Sequence, residues 1–354
     1  MLRIALDAMG GDHAPDATVA GAVRAARAWG YQIQLVGREA EIRAQLRKQG
    51  DLTGVDDLLE IVHAPEVIEM GEHPAEAVRR KRHSSMAVGV DLVKKGAADC
   101  FVSAGNTGGV LATALLGLRR IEGITSERPA LAAQLPTTKG TCVLLDVGAN
   151  VDAKPEWLAQ FALMGSSYAE VLGKIRPTVA TLSNGEEEGK GNALLAAALP
   201  LIKALPINYV GNIEGNHITD GTVDVVVVDG FAGNIFLKGA EGVVATMTDL
   251  IRQELTRNPV RAILAAGLRP AFRAIRNRLS YEEYGGVPLL GVNGVCIVAH
   301  GRSTPLAIQN AIKAGARCVE MKLVEKIKAQ LSVPLTPDPR PPSPVPDPPS
   351  AAAS

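Results

Sequence analysis

Short apolar runs alternate with longer amphipathic segments along most of the chain. The runs are rich in Val, Ile and Leu and are only a few residues long, as in the buried strands of a parallel sheet. The segments between them carry apolar residues at helical spacing. This alternation is typical of successive βαβ units, so the sequence predicts a mainly parallel sheet with helices on both faces, a three-layer α/β/α sandwich.

The predicted elements follow one another in regular order. Strands are predicted at residues 2–6, 32–36, 59–62, 100–103, 141–146, 178–183, 207–210, 223–228 and 294–299. Helices are predicted at residues 16–29, 38–49, 84–95, 107–119, 155–172, 191–205, 233–256 and 304–330. Together they predict a single α/β/α domain over residues 1–332, followed by a tail, 333–354, whose nine prolines predict disorder.

One segment departs from the alternation. Residues 251–280 contain seven arginines and one acid, Glu254, among apolar residues at helical spacing, with Pro259 and Pro270 interrupting the pattern. A basic amphipathic helical hairpin is predicted here. Such a hairpin would bind an acidic protein partner or an anionic lipid surface. A charged helix face in solvent, with the apolar face packed on its own domain or on a dimer mate, explains the pattern equally well.

Composition and charge narrow the class of protein. The 354 residues include 37 Lys and Arg against 37 Asp and Glu, and 47% are hydrophobic, which is typical of a folded globular protein. A dedicated polycationic nucleic-acid-binding protein is therefore not expected. Aromatic residues make up only 3% of the chain and offer few stacking platforms for bases.

Cysteine spacing and apolar run length argue for a cytoplasmic setting. The N-terminal apolar run ends at Asp7, which is too short for a signal peptide, and the longest later candidate, 193–207, is interrupted by Pro200, Lys203 and Pro206. No two cysteines form a CxxC pair, so neither a disulfide framework nor a structural zinc site is expected. Those in apolar strands are predicted to be buried, inert thiols: Cys100, Cys142 and Cys296.

Glycine and asparagine cluster where the predicted strands end. Six such turns are present: residues 6–12, 103–109, 146–150, 183–186, 229–234 and 300–303. In an open parallel sheet these turns gather at the carboxyl edge, where glycine and helix N-termini present backbone N–H groups to an anion. Any one of them is explained as an ordinary turn or helix cap. Six in one chain favour an anion-binding edge.

Signatures of several enzyme classes are missing from the sequence. The run from Gly185 to Gly191 resembles a P-loop, but it is one residue short and has glycine where Ser or Thr would hold Mg²⁺. No GxGxxG opens a helix, and neither HExxH nor GxSxG occurs. The six histidines lack ligand spacing, so no metal is expected. His13 and His300 lie in glycine-rich turns, where capping is expected before proton transfer.

Six longer motifs occur in a fixed order. They are IALDAMGGDHAP at 4–15, SAGNTGG at 103–109, LLDVGAN at 144–150, LSNGEEEGKGN at 182–192, DGFAGN at 229–234 and YGGVPLLGVNG at 284–294. Together they resemble the bacterial phosphate acyltransferases of phospholipid synthesis, which move a fatty acyl group from acyl carrier protein to inorganic phosphate. The resemblance spans the chain up to the proline-rich tail.

The resemblance implies a fold related to phosphotransacetylases and the isocitrate-dehydrogenase-like enzymes. It also implies a homodimer, no metal, nucleotide or other cofactor, and a cytoplasmic protein that associates peripherally with the inner face of the cell membrane. There its acyl phosphate product would feed glycerol-3-phosphate acylation, and the membrane glycerol-3-phosphate acyltransferase is a candidate partner beside acyl carrier protein.

The reaction would explain a site of polar loops without a catalytic triad. Phosphate is a nucleophile at neutral pH and a thiolate leaves readily, so the enzyme mainly has to orient phosphate and stabilise an oxyanion. The predicted catalytic residues are Lys190, Asn234 and, as an orienter of a lysine, Asp229. The predicted phosphate ligands are Asn106, Thr107, Gly108, Asn150, Asn184, Gly233 and Lys238. Carrier-protein or membrane contacts are predicted for Arg252, Arg257, Arg261, Arg269, Arg273 and Arg276.

Other functions stay open at this point. A short-chain phosphotransacetylase acting on coenzyme A thioesters would need a similar site. An NAD-dependent decarboxylating dehydrogenase of related topology would need acidic metal ligands, and no such cluster is evident in the sequence. A non-catalytic, membrane-associated anion-binding protein could use the same strand ends. The loop of Lys190 follows three glutamates and also fits a solvated turn.

Overall fold

The strands lie in one sheet within residues 1–279 and 281–331, the part of the chain that the computed structural model describes. They are β1 (Arg3–Asp7), β2 (Gln32–Gly37), β3 (Leu59–His63), β4 (Cys100–Ser103), β5 (Ala130–Thr137), β6 (Gly140–Leu145), β7 (Thr178–Leu182), β8 (Asn208–Ile213), β9 (Val225–Val227), β10 (Val287–Leu290) and β11 (Val295–Val298). Their order is β3-β2-β1-β4-β11-β10-β5-β6-β9-β7-β8. The predicted tail, 333–354, lies outside the described residues.

The helices connect these strands. They are α1 (Asp16–Trp29), α2 (Glu39–Lys48), α3 (Pro74–Arg80), α4 (Ser85–Lys94), α5 (Thr107–Leu118), α6 (Pro155–Val171), α7 (Ala193–Lys203), α8 (Gly230–Thr256), α9 (Pro259–Leu279), α10 (Tyr281–Tyr284), α11 (Pro305–Glu320) and α12 (Leu323–Leu331). The predicted helix 304–330 is two helices, because Lys322 between them adopts a left-handed φ of 53°.

Helices cover both faces of the sheet. Because successive strand side chains point to opposite faces, Ile4 and Leu6 of β1 belong to the apolar layer that includes α1, α6, α11 and α12, whereas Ala5 belongs to the layer that includes α4 and α5. Each large apolar side chain buried in these two layers contributes about 1.5–3 kcal/mol. The predicted three-layer α/β/α sandwich is confirmed.

The sheet has two parallel halves that run in opposite directions. The first half is β3, β2, β1, β4 and β11, and the second half is β6, β9, β7 and β8. Between them, β10 pairs antiparallel with β11 and with β5, and β5 pairs antiparallel with β6. These three antiparallel pairs reverse the direction. The sheet is mainly parallel, as predicted, but its strand ends form two rims where the sequence predicted one edge.

The two strands that cause the reversal were not predicted from the sequence. β5 reads ALAAQLPT and β10 reads VPLL. Alanine and proline are uncommon in strands, so neither segment has the β-branched pattern that identified the others. β5 pairs with β6 and β10 with β11, each the next strand in the chain, and the pairing between β5 and β10 joins distant segments into one sheet.

Helices α8 and α9, which we call the hairpin, are longer than the predicted 251–280. Pro259 begins α9, a position where the missing N–H costs nothing, and Pro270 lies inside α9 without ending it. The break predicted at Pro259 is therefore present, since α8 ends at Thr256 and α9 begins at Pro259, whereas the break predicted at Pro270 is wrong. Among the residues of α8, Gly230 and Gly233 are buried, and both lie in its first turn. Within the described ranges, no helix has the length and apolar character needed to cross a membrane.

Candidate active site

Three turns of the second half meet at the ends of β6, β9 and β7. We call residues 146–150, 183–192 and 229–234 the second rim. Since β9 lies between β6 and β7, the helix α8 that follows β9 begins between the other two turns. The Gly230 N–H donates to the Asn150 carbonyl at 2.9 Å. Asn234 lies beside the β6 turn, because a Cβ added to Gly148 would be 3.6 Å from its side chain.

The start of α8 packs so closely on the β6 turn that it requires glycine. A Cβ at Gly233 would lie 2.0 Å from the carbonyl oxygen of Asp146, and one at Gly230 would lie 2.7 Å from the carbonyl oxygen of Asn150. These contacts are with backbone atoms, which cannot rotate away. The DGFAGN sequence thus fixes where Asn234 stands in the second rim.

The N–H groups at the start of α8 already have acceptors. The Asp229 carboxylate accepts from Phe231 at 3.0 Å and from Ala232 at 2.9 Å, and the Asp229 carbonyl accepts from Gly233 at 3.0 Å. Asp229 is therefore the helix cap. Within the described chain, Asp229 forms no ion pair with a lysine. No contact therefore supports the prediction that Asp229 orients a lysine.

A buried carboxylate organises the β6 turn. Asp146 accepts N–H bonds from Leu131 at 3.0 Å and Ala149 at 3.2 Å on one oxygen, and from the backbone of Asn150 at 2.7 Å on the other. Burial raises the pKa of this carboxyl, against the opposing effect of its hydrogen bonds. The Asn150 amide bonds Asp146 and the backbone of Arg128, so it supports the turn and does not point a free donor at a ligand.

Lys190 brings a positive charge to the second rim, next to the carboxylate of Glu187. Its side chain lies over Gly185, where an added Cβ would be 2.8 Å from the Lys190 Cγ. Glu188 pairs with Lys203 and Glu186 lies 3.1 Å from His217, whereas the Glu187 carboxylate lies over Gly185 beside the Lys190 side chain, 2.8 Å from the same added Cβ. Across residues 1–279 and 281–331, Lys190 itself forms no ion pair.

Asn184 and Lys238 differ in how free their side chains are. The Asn184 Oδ1 accepts from the Gly191 N–H at 2.9 Å, which closes the loop that carries Lys190. Its exposed amide nitrogen has no acceptor within the described residues, so it is available as a donor. Lys238, on exposed α8, pairs with Glu241 at 2.8 Å.

A cavity of about 420 Å³ opens at the second rim. Its polar lining consists of Ser183, Asn184, Gly191, Asn192 and Asp229. Its apolar lining consists of Leu158, Leu182, Leu194, Leu195, Val227, Val228 and Ala232. Sequence reasoning missed these apolar residues, because their spacing on helices and strands is that of ordinary core.

The predicted ligands in the first half lie on a different rim. Asn106, Thr107 and Gly108 follow β4, which is four strand positions from β6 in the sheet. At about 4.8 Å per position, the two strands are roughly 19 Å apart. The Asn106 amide donates to the carbonyls of Met70 at 2.9 Å and Glu72 at 3.1 Å, and its oxygen caps α5, so it is fully used.

Thr107 and Gly108 are the donors that remain on this first rim. Their backbone N–H groups begin α5 and meet no acceptor within the described chain. Asp7, at the end of the neighbouring β1, is fully buried and accepts from Ser103 Oγ at 2.7 Å and from the Met9 N–H at 3.1 Å. Burial raises the pKa of the Asp7 carboxyl. The structure thus separates the predicted ligands into two groups.

Comparison with known proteins identifies the family. Residues 2–326 match the family described as "Fatty acid synthesis protein". A phosphate acyltransferase from Pelotomaculum thermopropionicum is 48% identical over 331 residues, covering 93% of this chain and 95% of that protein. The chain belongs to the phosphate acyltransferase family. The family and enzyme class expected from the six motifs, an acyltransferase, are confirmed.

Solved structures of known proteins share the fold of this chain. A phosphotransacetylase from Streptococcus pyogenes has a TM-score of 0.59 at 19% identity and covers 89% of this chain and 94% of its own. A 4-hydroxythreonine-4-phosphate dehydrogenase from Klebsiella pneumoniae has a TM-score of 0.55 at 13% identity, with 90% and 100% coverage. At such identities the likeness concerns the fold alone, which agrees with the predicted relation to phosphotransacetylases.

Proposed function

We propose that this enzyme transfers a long-chain acyl group from acyl carrier protein to inorganic phosphate, releasing the carrier thiol. The observation that carries the proposal is the second rim, whose turns carry the exposed side chains of Lys190, Asn184 and Asn234, and where Asn184 lines a cavity with apolar walls. Membership of the family supports the same reaction. The acyl phosphate would feed glycerol-3-phosphate acylation.

The reaction needs no strong base. A phosphate oxygen of the monoprotonated dianion attacks the thioester carbonyl carbon, and the carbon–sulfur bond breaks from the tetrahedral intermediate. The phosphate proton passes to the departing thiolate, so the products are acyl phosphate and free thiol. A thiol of pKa about 8.5 is a good leaving group near neutral pH. The enzyme's work is to hold phosphate in line and stabilise the oxyanion.

Each proposed ligand has a physical role. Lys190 supplies the positive charge that attracts phosphate, and Asn234 donates a hydrogen bond to phosphate or to the oxyanion. Asn184 adds a neutral donor. Asn150 and Gly233 position these groups, since the first orders the β6 turn and the second permits its contact with α8. Phosphate binding by Lys238 and by Asn106, Thr107 and Gly108 stays a prediction.

Thiol release tests the proposal. Wild-type enzyme with phosphate should release thiol from palmitoyl carrier protein, whereas Lys190→Ala and Asn234→Ala should each lose about 100-fold or more in kcat/KM. Lys95→Ala is the matched control, because Lys95 forms an exposed helix ion pair with Asp91 far from the rim. Release from acetyl-coenzyme A alone, or undiminished release by both rim variants, would contradict the assignment.

We also propose that the hairpin contacts acyl carrier protein. Arg257 and Arg261 both pair with Glu254, at 3.4 Å and 2.6 Å. The remaining predicted contacts have no acidic partner within the described chain: Arg252, Arg269, Arg273 and Arg276. Exposed apolar side chains accompany them, with Ile263 75% exposed. An acidic carrier protein would complement this surface, and the same surface would hold the enzyme at an anionic cytoplasmic leaflet, near the glycerol-3-phosphate acyltransferase.

Charge reversal on the hairpin tests this contact. Arg269→Glu with Arg273→Glu should raise KM for palmitoyl carrier protein without changing KM for palmitoyl-coenzyme A, and should weaken binding to anionic liposomes. Arg24→Glu on α1 is the control. If the KM for carrier protein and the binding to liposomes were both unchanged, the hairpin would be only a solvated helix face.

The homodimer and the single catalytic domain over 1–332 are proposed from the same family resemblance. Sedimentation would test the dimer.

A further inference from the structure

We propose that the acyl chain of the thioester enters the cavity at the second rim, between α6 and α7, and that Leu194 limits the length of chain accepted. This inference rests on the proposed function, since it concerns the same site. The inference adds two points to the proposed function: where the acyl chain binds and which residue selects its length.

The cavity is polar where residues of the rim turns line it and apolar where core residues of α6, α7 and β9 line it. Asn184 and Asp229 belong to the rim turns, so they mark the polar end. Leu158 of α6, Leu195 of α7 and Val227 of β9 belong to the core, where they are 3%, 5% and 1% exposed. A ligand that fills this space must therefore be polar at one end and apolar at the other, as an acyl thioester is.

Phosphate does not suit the apolar end. A dianion placed against leucine and valine would lose its hydration without gaining hydrogen bonds, at a cost of many kcal/mol. Phosphate therefore belongs at the rim with Lys190, and the apolar walls are left for the chain. This division puts the thioester carbonyl between the two, where the proposed attack takes place.

The size of the cavity also fits. Its volume of about 420 Å³ lies within the range of 300–1,000 Å³ typical of small-molecule sites. Each methylene that leaves water for the apolar end should raise kcat/KM about fourfold, which follows from a transfer free energy of about 0.8 kcal/mol. Once the cavity is full, further methylenes should add nothing.

Leu194 is the wall residue best placed to set that limit. It is half-buried at the start of α7, whereas its neighbour Leu195 is buried in the core and touches Gly191. Replacing Leu194 with tryptophan should fill part of the cavity without disturbing the core. Leu201, on the same helix and 39% exposed, does not line the cavity and provides a matched control.

The experiment measures kcat/KM with butyryl, octanoyl, dodecanoyl and palmitoyl thioesters of coenzyme A at saturating phosphate. Wild type and Leu201→Trp should show the same rise with chain length. Leu194→Trp should match wild type with butyryl thioester and lose about 16-fold or more with palmitoyl, a loss of at least two methylenes of binding. Leu194→Ala should shift the plateau to longer chains.

Two results would overturn the inference. One is an unchanged chain-length profile in both Leu194 variants. The other is an equal loss for every chain length with normal thermal stability, which would assign Leu194 to something other than chain selection. Activity on the butyryl thioester reports correct folding of each variant. If wild type released no thiol from any donor, the proposed function would fail, and that outcome is distinct from a failed chain-length test.

Discussion

The close contact at Gly233 makes a sharp prediction for Gly233→Ala. The new Cβ would start 2.0 Å from the Asp146 carbonyl oxygen, and an ordinary contact needs about 3.5 Å, so the start of α8 and the β6 turn must move apart by about 1.5 Å. Overpacking of this kind costs about 1–3 kcal/mol. Alanine offsets part of the cost, because it favours a helix over glycine by about 1 kcal/mol.

The same displacement should damage catalysis more than stability. Asn234 is the next residue and would move with the helix, and a misplacement of about 1 Å can reduce the rate about 100-fold. We expect Gly233→Ala to lower the free energy of unfolding by about 2 kcal/mol and kcat/KM by about 100-fold. Urea unfolding and thiol release with phosphate measure the two effects.

Gly239→Ala is the matched control on the same helix. No atom lies within 4 Å of a Cβ added at Gly239, so the change should stabilise the protein by about 0.5–1 kcal/mol and leave activity unchanged. If Gly233→Ala behaved like Gly239→Ala in both assays, α8 would not pack on the β6 turn as described. The account of how Asn234 is positioned would then be refuted.

Three further predictions concern buried polar groups. Because burial raises the Asp7 pKa, its protonated form is favoured by folding, so this contribution to stability is full below about pH 4 and is lost as pH rises through the folded pKa. The unfolding free energy of Asp7→Asn should consequently fall less than that of wild type between pH 4 and neutrality, and parallel urea profiles would contradict this. Asp146→Ala should cost about 3 kcal/mol by leaving buried N–H donors unpaired, and an unchanged melting temperature would disprove it. The described thiols should resist labelling until the protein unfolds, since burial raises the pKa of each, and rapid native labelling would count against their burial: Cys100, Cys142, Cys296 and Cys318.

Neighbouring residues largely determine the strand and helix pattern of this protein. β1, β2 and β4 are short, largely apolar runs between helical segments, and their bounds differ little from those predicted. The glycine- and asparagine-rich turns were also visible, since each directly follows its strand. Local signals of this kind depend on neighbouring residues alone, so a sequence displays them.

Which turns meet depends on pairing between distant parts of the chain. β5 and β10 carry no clear strand pattern, yet they reverse the sheet and divide six predicted turns between two rims. The sequence could likewise not distinguish a free asparagine from an engaged one. Asn234 and Asn150 look alike as residues, but only the fold engages the Asn150 amide with Asp146 and Arg128.

By itself, the amino-acid sequence determined the layered α/β/α class, the family and the candidate residues, because periodicity and motifs are properties of short segments. Tertiary structure alone decided that Lys190 forms no ion pair within the described chain, that Asp229 caps α8, and that leucines of α6 and α7 line a cavity at the second rim. Those outcomes depend on which groups lie within a few ångströms of one another, and that distance is set by chain segments far apart in sequence.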